Sequence, residues 1–192
     1  MLVQPGKIPR PTLRTQRLKY VRFLAIPFLY FSQFAPRLFV AGTLISALGL
    51  LLRAFAAGSI HKDQELARGG PYGFVRHPLY AGTFFVGLGF SVAGGRWWFL
   101  PVFVPLFLLL YQRTVAAESL ELEERFGNEY RRYRSEVPAV VPRLRKGGVD
   151  RAKPAPRPGF RSWLYWRNKE WQAAIGVLVG YGMLWVRVSL FG

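Results

Sequence analysis

Few residues in this chain have chemistry beyond packing or anchoring, and they fall in two stretches. The first, HKDQELARGGPYGFVRHPLYAG at residues 61–82, holds Tyr72, Arg76, His77 and Tyr80. Histidine exchanges a proton near neutral pH, and arginine offers a fixed fork of donors that matches carboxylates. Gly69, Gly70 and Pro71 stop any preceding helix, while Pro78 suits the first turn of a new one, where its missing N–H costs nothing. A loop therefore delivers these side chains to the mouth of a helix. The second stretch, AAESLELEERFGNEYRRYRSEVPAVVP at residues 116–142, places Glu118, Glu121, Glu123 and Glu124 ahead of Arg125, Arg131, Arg132 and Arg134. Acids leading and bases following favour a helix. Most of these charges read as a solvated face. Glu118, nearest the preceding apolar run, is the carboxylate that can share a pocket with His77, and an ionisable group near membrane depth is a functional candidate by default. The competing reading of Arg76, His77 and Tyr80 is an interfacial anchor at headgroup depth.

The elements that position these residues follow from segregation along the chain. Its 192 residues are 51% hydrophobic yet carry a net charge of +17, and mean hydropathy is +0.14. Residues 23–36, 38–52, 79–95, 97–112 and 171–186 contain no Asp, Glu, Lys or Arg. Each run approaches the roughly 17–25 residues a spanning helix requires once flanking charges snorkel to the interface. The predicted fold is all-α: a polytopic transmembrane bundle of about five spanning helices, with a cytosolic helix and loops forming a pocket. Disorder is excluded by this composition, and a soluble helical protein would be left with almost no amphipathic surface.

With Met1 in the cytoplasm, Arg37, Arg96 and Arg187 are the only outward cations, so 24 of the 27 Lys and Arg fall inside. The bias of basic residues toward cytoplasmic loops is thereby satisfied, and it accounts for the charge without nucleic acid, for which no recognised module is present. Residues 53–78 and 111–170 lie inside in this topology. The short outer connections make spans one and two, and spans three and four, antiparallel hairpins. Pro27 is expected to kink the first span, and Trp97, Trp98, Trp163, Tyr165, Trp166 and Trp171 suit an interfacial aromatic belt. No removable signal peptide is read in the basic stretch before residue 23. The absence of cysteine excludes disulfides and thiolate chemistry, and no clustered ligand set suggests a metal.

Taken together, GPYGFVRHPLYAG, the apolar hairpin after it, and Glu118 followed by FGNEYRRY and Pro138 to Pro142 resemble the isoprenylcysteine carboxyl methyltransferase and phospholipid methyltransferase superfamily of integral membrane enzymes. The likeness covers about residues 40–142. It implies S-adenosylmethionine bound between the two inner segments and methyl transfer to a lipophilic or amphipathic acceptor entering from the lipid. By the same likeness, Leu66, Gly70 and Tyr72 correspond to the loop around the cofactor. Arg76, His77, Pro78 and Tyr80 match the central motif, and Glu118 the first of an acidic pair. Arg76, His77 and Glu118 are the implied catalytic residues. Ser119 stands at the second acidic position, a departure that puts any role needing two carboxylates in question.

Three parts are expected: a methyltransferase-like core with a basic N-terminal segment over 1–142, a basic Pro- and Gly-rich connector over 143–159, and an interfacial aromatic segment with a spanning helix over 160–192, the last as an appendage. The alternatives are a phospholipid N-methyltransferase and a non-catalytic membrane scaffold of the same fold. The acceptor and the oligomeric state are not legible in the residues.

Overall fold

The computed structural model describes residues 24–33, 35–60, 66–140 and 160–191, and among these the regular structure is all helical, with no strand. The basic N-terminal segment, His61 and the connector at 143–159 lie outside the described residues. Helix α1 comprises helical residues 24–31, α2 is Pro36–Gly58, α3 Pro78–Ala93, α4 Phe99–Phe126, α5 Asn128–Glu136, α6 Ser162–Arg167 and α7 Trp171–Phe191. A single 3₁₀ turn, Gly70–Gly73, precedes α3.

The chain is a helical membrane bundle in which α2, α4 and α7 are long and apolar enough to cross a bilayer. The run at 79–95, expected to span, forms a helix of 16 residues, about 24 Å at 1.5 Å per residue against a hydrocarbon layer of about 30 Å. Pro78 starts this helix at its N-terminal turn and Gly94 and Gly95 end it, Gly95 with φ +73°. Of the first expected span, residues 24–33, 35 and 36 are described, and 24–31 form α1. Helix α2 continues past Leu52 and carries Arg53 within it. Helix α4 joins the fourth run and the acidic stretch in one continuous helix, with Pro105 inside it. Gly127, at φ +51°, then turns the chain into α5.

Helices α2 and α3 touch backbone to backbone. A Cβ added at Gly42 would lie 2.3 Å from the Gly89 carbonyl oxygen, one at Gly49 2.6 Å from that of Gly82, and one at Gly89 2.2 Å from Ser46 Oγ. Lipid tails are as apolar as leucine, so helices in a bilayer associate through close van der Waals packing and interhelical hydrogen bonds, which small residues permit. Ser46 supplies such bonds: its Oγ lies 3.1 Å from the Val86 carbonyl and 2.9 Å from the Tyr181 hydroxyl. The second bond draws in α7, which the sequence reading had placed as an appendage. Leu184, Val188 and Tyr181 are buried with Ala93 against Phe28, Leu29, Phe39, Phe90 and Val177, and the rings of Phe90 and Tyr181 stack at 4.5 Å. Apolar character alone cannot separate a lipid-facing helix from one packed on its neighbours.

The elements sort to two ends. At one, Gln33 N–H donates to the Gly94 carbonyl (3.0 Å) and Arg187 to that of Tyr30 (3.2 Å). At the other meet the end of α2, the start of α3, the last turns of α4, α5, α6 and the start of α7. Gly89→Ala is expected to destabilise the protein by about 1–3 kcal/mol through overpacking. Gly176→Ala, whose added Cβ meets nothing within 4 Å, should stabilise it by up to about 1 kcal/mol. Thermal unfolding of detergent-purified variants ranks the two.

Candidate active site

The turn before α3, Gly70–Gly73, sets the approach to the site. Gly70 holds φ +57°, a conformation glycine adopts without strain, and an added Cβ would lie 3.3 Å from Ser59 Oγ. That turn buries Tyr72 and leads into extended residues that pair with the segment after α5. Arg76 N–H donates to the Pro138 carbonyl (2.8 Å) and His77 N–H to that of Ala139 (2.9 Å). The Tyr133 hydroxyl donates to the Tyr72 carbonyl at 2.6 Å. Arg76 Nη1 donates to the Tyr130 hydroxyl at 3.0 Å, with its guanidinium over that ring. Arg68 bonds the backbone carbonyl and the carboxylate of Glu129, both at 2.9 Å. Leu66 packs on the buried cluster of Tyr130, Tyr133 and Val137. Helix α5 is therefore a clamp on the motif loop.

The sequence reading treated the charges of α5 as a solvated face and passed over its aromatic residues. The signal was present: Tyr130, Tyr133 and Val137 recur at helical spacing, one apolar stripe on an otherwise charged segment. Glu123, read as solvated, bonds Arg131 (2.7 Å) and Arg134 (3.4 Å) across the Gly127 turn, so it braces α5 against α4.

The clamp and the α3–α4 hairpin bring His77 and Glu118 together. His77 Nδ1 lies 3.4 Å from Glu118 Oε2, with the imidazole side chain 4% exposed and the carboxylate side chain 44% exposed. Tyr80 stacks on His77 at 5.7 Å and meets Tyr111 of α4 at 5.1 Å. Tyr111 in turn stacks on Phe107 at 4.0 Å. Ser119 is buried. A carboxylate at that position would be taken out of water, at a cost of several kcal/mol unless paired, which gives the serine a packing rationale. Among the described residues, His77 Nε2, the Tyr72 hydroxyl and Arg76 Nε are buried with no hydrogen-bond partner. Buried polar groups are ordinarily satisfied, so these three call for an explanation. No group of three or more potential metal ligands occurs among the described residues. A separate groove of about 380 Å³ lies between α2 and the start of α7, lined by Leu50, Arg53, Tyr165 and Glu170 among others; it does not include His77 or Glu118.

Residues 33–129 match the model of the phospholipid methyltransferase family, and the chain belongs to that family. It is also 31% identical over 86 residues to the protein-S-isoprenylcysteine O-methyltransferase of Schizosaccharomyces pombe, an alignment covering 45% of this chain and 36% of that protein. The chain thus spans about a third of the length of the curated relative it matches. No solved structure matches.

Burial first, and next the negative charge of Glu118, hold the Tyr72 hydroxyl well above the usual tyrosine range. Burial raises Tyr133 as well, against the opposing pull of the Arg76 cation. In the unfolded chain both release their protons near pH 10, while in the fold they keep them. The folded state then binds more protons, so the stability these tyrosines contribute is intact below pH 10 and declines as pH rises beyond it. Unfolding followed from pH 8 to 11 should show this alkaline loss. Tyr133→Phe should flatten it and, by removing the bond to the Tyr72 carbonyl, lower stability at pH 8 by about 1 kcal/mol.

Proposed function

We propose that this protein is an integral membrane S-adenosylmethionine-dependent methyltransferase acting on a lipophilic or amphipathic acceptor, with its site at the end of the bundle where His77 meets Glu118. The observation that carries the reading is the buried His77 beside Glu118, formed from two segments about forty residues apart within the span matched by the methyltransferase family. When bound, S-adenosylmethionine supplies an electrophilic methyl group on a sulfonium. Its amino-acid part is a zwitterion, and the residues present suit one. The Glu118 carboxylate holds an ammonium or balances the sulfonium charge, and Arg76 pairs with a carboxylate. The Tyr72 hydroxyl and His77 Nε2 complete the polar set, and Leu66, Gly70 and Tyr80 shape the surround. Transfer is an in-line displacement, so the demand on the protein is alignment and exclusion of water.

One observation favours an amine headgroup, as in a phospholipid, as the second reading. Nδ1 lies 3.4 Å from Glu118 Oε2, and an imidazole carrying a proton on Nδ1 alone would present Nε2 as an acceptor. Nε2 is buried and without a partner among the described residues, a suitable base for an ammonium that must lose a proton before attack. A carboxylate acceptor needs no base. Incubation with labelled S-adenosylmethionine and extracted membrane lipids separates the two, since a methyl ester is released by mild alkali and an N-methyl group is not.

The site faces the cytoplasm in this proposal, from the bias of Lys and Arg toward that end. A reporter fused in the basic connector near Gly147 should behave as cytoplasmic, and an externally accessible tag there overturns the orientation. His77→Ala and Glu118→Ala should each weaken cofactor binding by about ten- to a hundredfold, or about 1.5–3 kcal/mol, leaving the helical signal intact. Glu124→Ala, at an exposed position, is the control. Calorimetry after chelator treatment should give unchanged binding; loss on metal removal and recovery on metal return would sink the metal-free scheme.

A further inference from the structure

Outside the span matched by the family, residues 160–170 fold back onto the end of α2. Arg161 N–H donates to the Gly58 carbonyl (3.0 Å), Asn168 Nδ2 to that of Ala57 (2.8 Å), and Leu164 is buried. The last residue of this latch is Glu170. Its Oε2 accepts from Arg53 Nη2 at 2.7 Å and from Nε at 3.1 Å. Both side chains are largely withdrawn from solvent, 21% and 10% exposed. Arg53 does not stop at that pair. Its Nη1 reaches across to α3, bonding Thr83 Oγ1 and the Leu79 carbonyl (3.4 Å), and its Cγ occupies the space beside Gly82.

Leu79 to Thr83 is the first turn of α3, the turn entered through His77 and Pro78 and carrying Tyr80. The entrance to α3 is therefore held from two directions: at Arg76 and His77 by the Pro138 and Ala139 carbonyls of the segment after α5, and at Leu79 and Thr83 by Arg53 of α2, itself held by Glu170 just before α7. Burial chiefly raises the Tyr72 hydroxyl, and the charges of Glu118 and, more weakly, of Glu170 add to it from the two sides. A guanidinium at this depth is costly to bury unless its donors are matched, and Glu170 matches two of them.

We infer that Glu170, acting through Arg53, is a positioning residue for methyl transfer, fixing the first turn of α3 so that His77 and Tyr80 stand in register with Glu118. This rests on the methyltransferase reading, and the test uses one measurement that does not. The chain has two histidines, so a His61→Ala background leaves His77 as the only imidazole, and its carbethoxylation by diethyl pyrocarbonate can be followed by absorbance in the intact detergent-purified protein. Glu170→Gln is introduced there, with Asn168→Ala as a latch variant that does not bond Arg53 and Glu170→Asp as the conservative one.

The expected results are a faster reaction of His77 and a roughly tenfold lower kcat for methyl transfer in Glu170→Gln, with the KM for S-adenosylmethionine little changed. Glu170→Asp should recover most of both, and Asn168→Ala should move neither even where it lowers the unfolding temperature equally. If Asn168→Ala lowers kcat and exposes His77 as much as Glu170→Gln does, the role is general stability and the inference is wrong. It is equally wrong if Glu170→Gln leaves both readouts at their starting values. Should His77 become more reactive in Glu170→Gln while no variant, including the parent, transfers methyl groups, the positioning stands and the methyltransferase reading falls.

Discussion

Everything at the site depends on how closely α2 and α3 approach. Their glycines leave no room for a methyl group between the two backbones, so the short helix α3 has little freedom to slide or roll on its longer partner. That contact compensates for a helix too short to be placed by the bilayer itself. A 16-residue helix has no strong preference for depth in a layer about 30 Å thick. Its depth is instead copied from α2, and with it the depth of His77, Pro78 and Tyr80 at its entrance.

Polar chemistry at such a boundary has to be matched group by group, because water is scarce on one side and abundant on the other. The structure does this with a few arginines, each given a fork of partners. Arg68 meets Glu129 and the face of Tyr133, Arg76 the ring and hydroxyl of Tyr130, and Arg53 the Glu170 carboxylate and Thr83. A lysine, with its strongly hydrated point charge, would serve poorly in these planar, stacked and forked settings. Among the described residues, the buried atoms this pairing leaves without a hydrogen bond include Arg68 Nε and, at the turn before α3, the Tyr72 hydroxyl, Arg76 Nε and His77 Nε2.

Much of this was legible in the residues, for reasons that can be named. The runs free of charge fix α2, α4 and α7, since nothing but lipid or dense packing tolerates them. Pro78 and the paired glycines at 94 and 95 fix the ends of α3, and a hairpin between two such helices brings His77 near Glu118 from topology alone. The helical membrane fold and the family were both read correctly from the motif and its hairpin. The docking of α5 on the motif loop was missed because its charged residues outnumber its tyrosines, and a mostly polar helix reads as solvated. The packing of α7 and the Arg53–Glu170 pair could not be seen, because they join residues 117 positions apart and no local pattern encodes such a partner. Helix α3 begins one residue before the charge-free run at 79–95 and ends two residues short of it, at Ala93, because Gly94 and Gly95 turn the chain, and a helix of 16 residues needs a companion to set its depth.

The continuity of α4 has one more consequence. Glu118 is borne on the same helix as the apolar residues from Phe99 onward, with Pro105 inside it and no break in the helix before Gly127, whereas His77 takes its height from α2. From Phe99 to Glu118 the helix is about 29 Å long at 1.5 Å per residue, so a tilt of about 10° carries the carboxylate about 5 Å sideways. Helices tilt to match the thickness of the surrounding hydrocarbon. The separation of imidazole and carboxylate is then tied to the bilayer in which the protein sits, and chain length and saturation of the host lipids become controls on the site without any of them entering it.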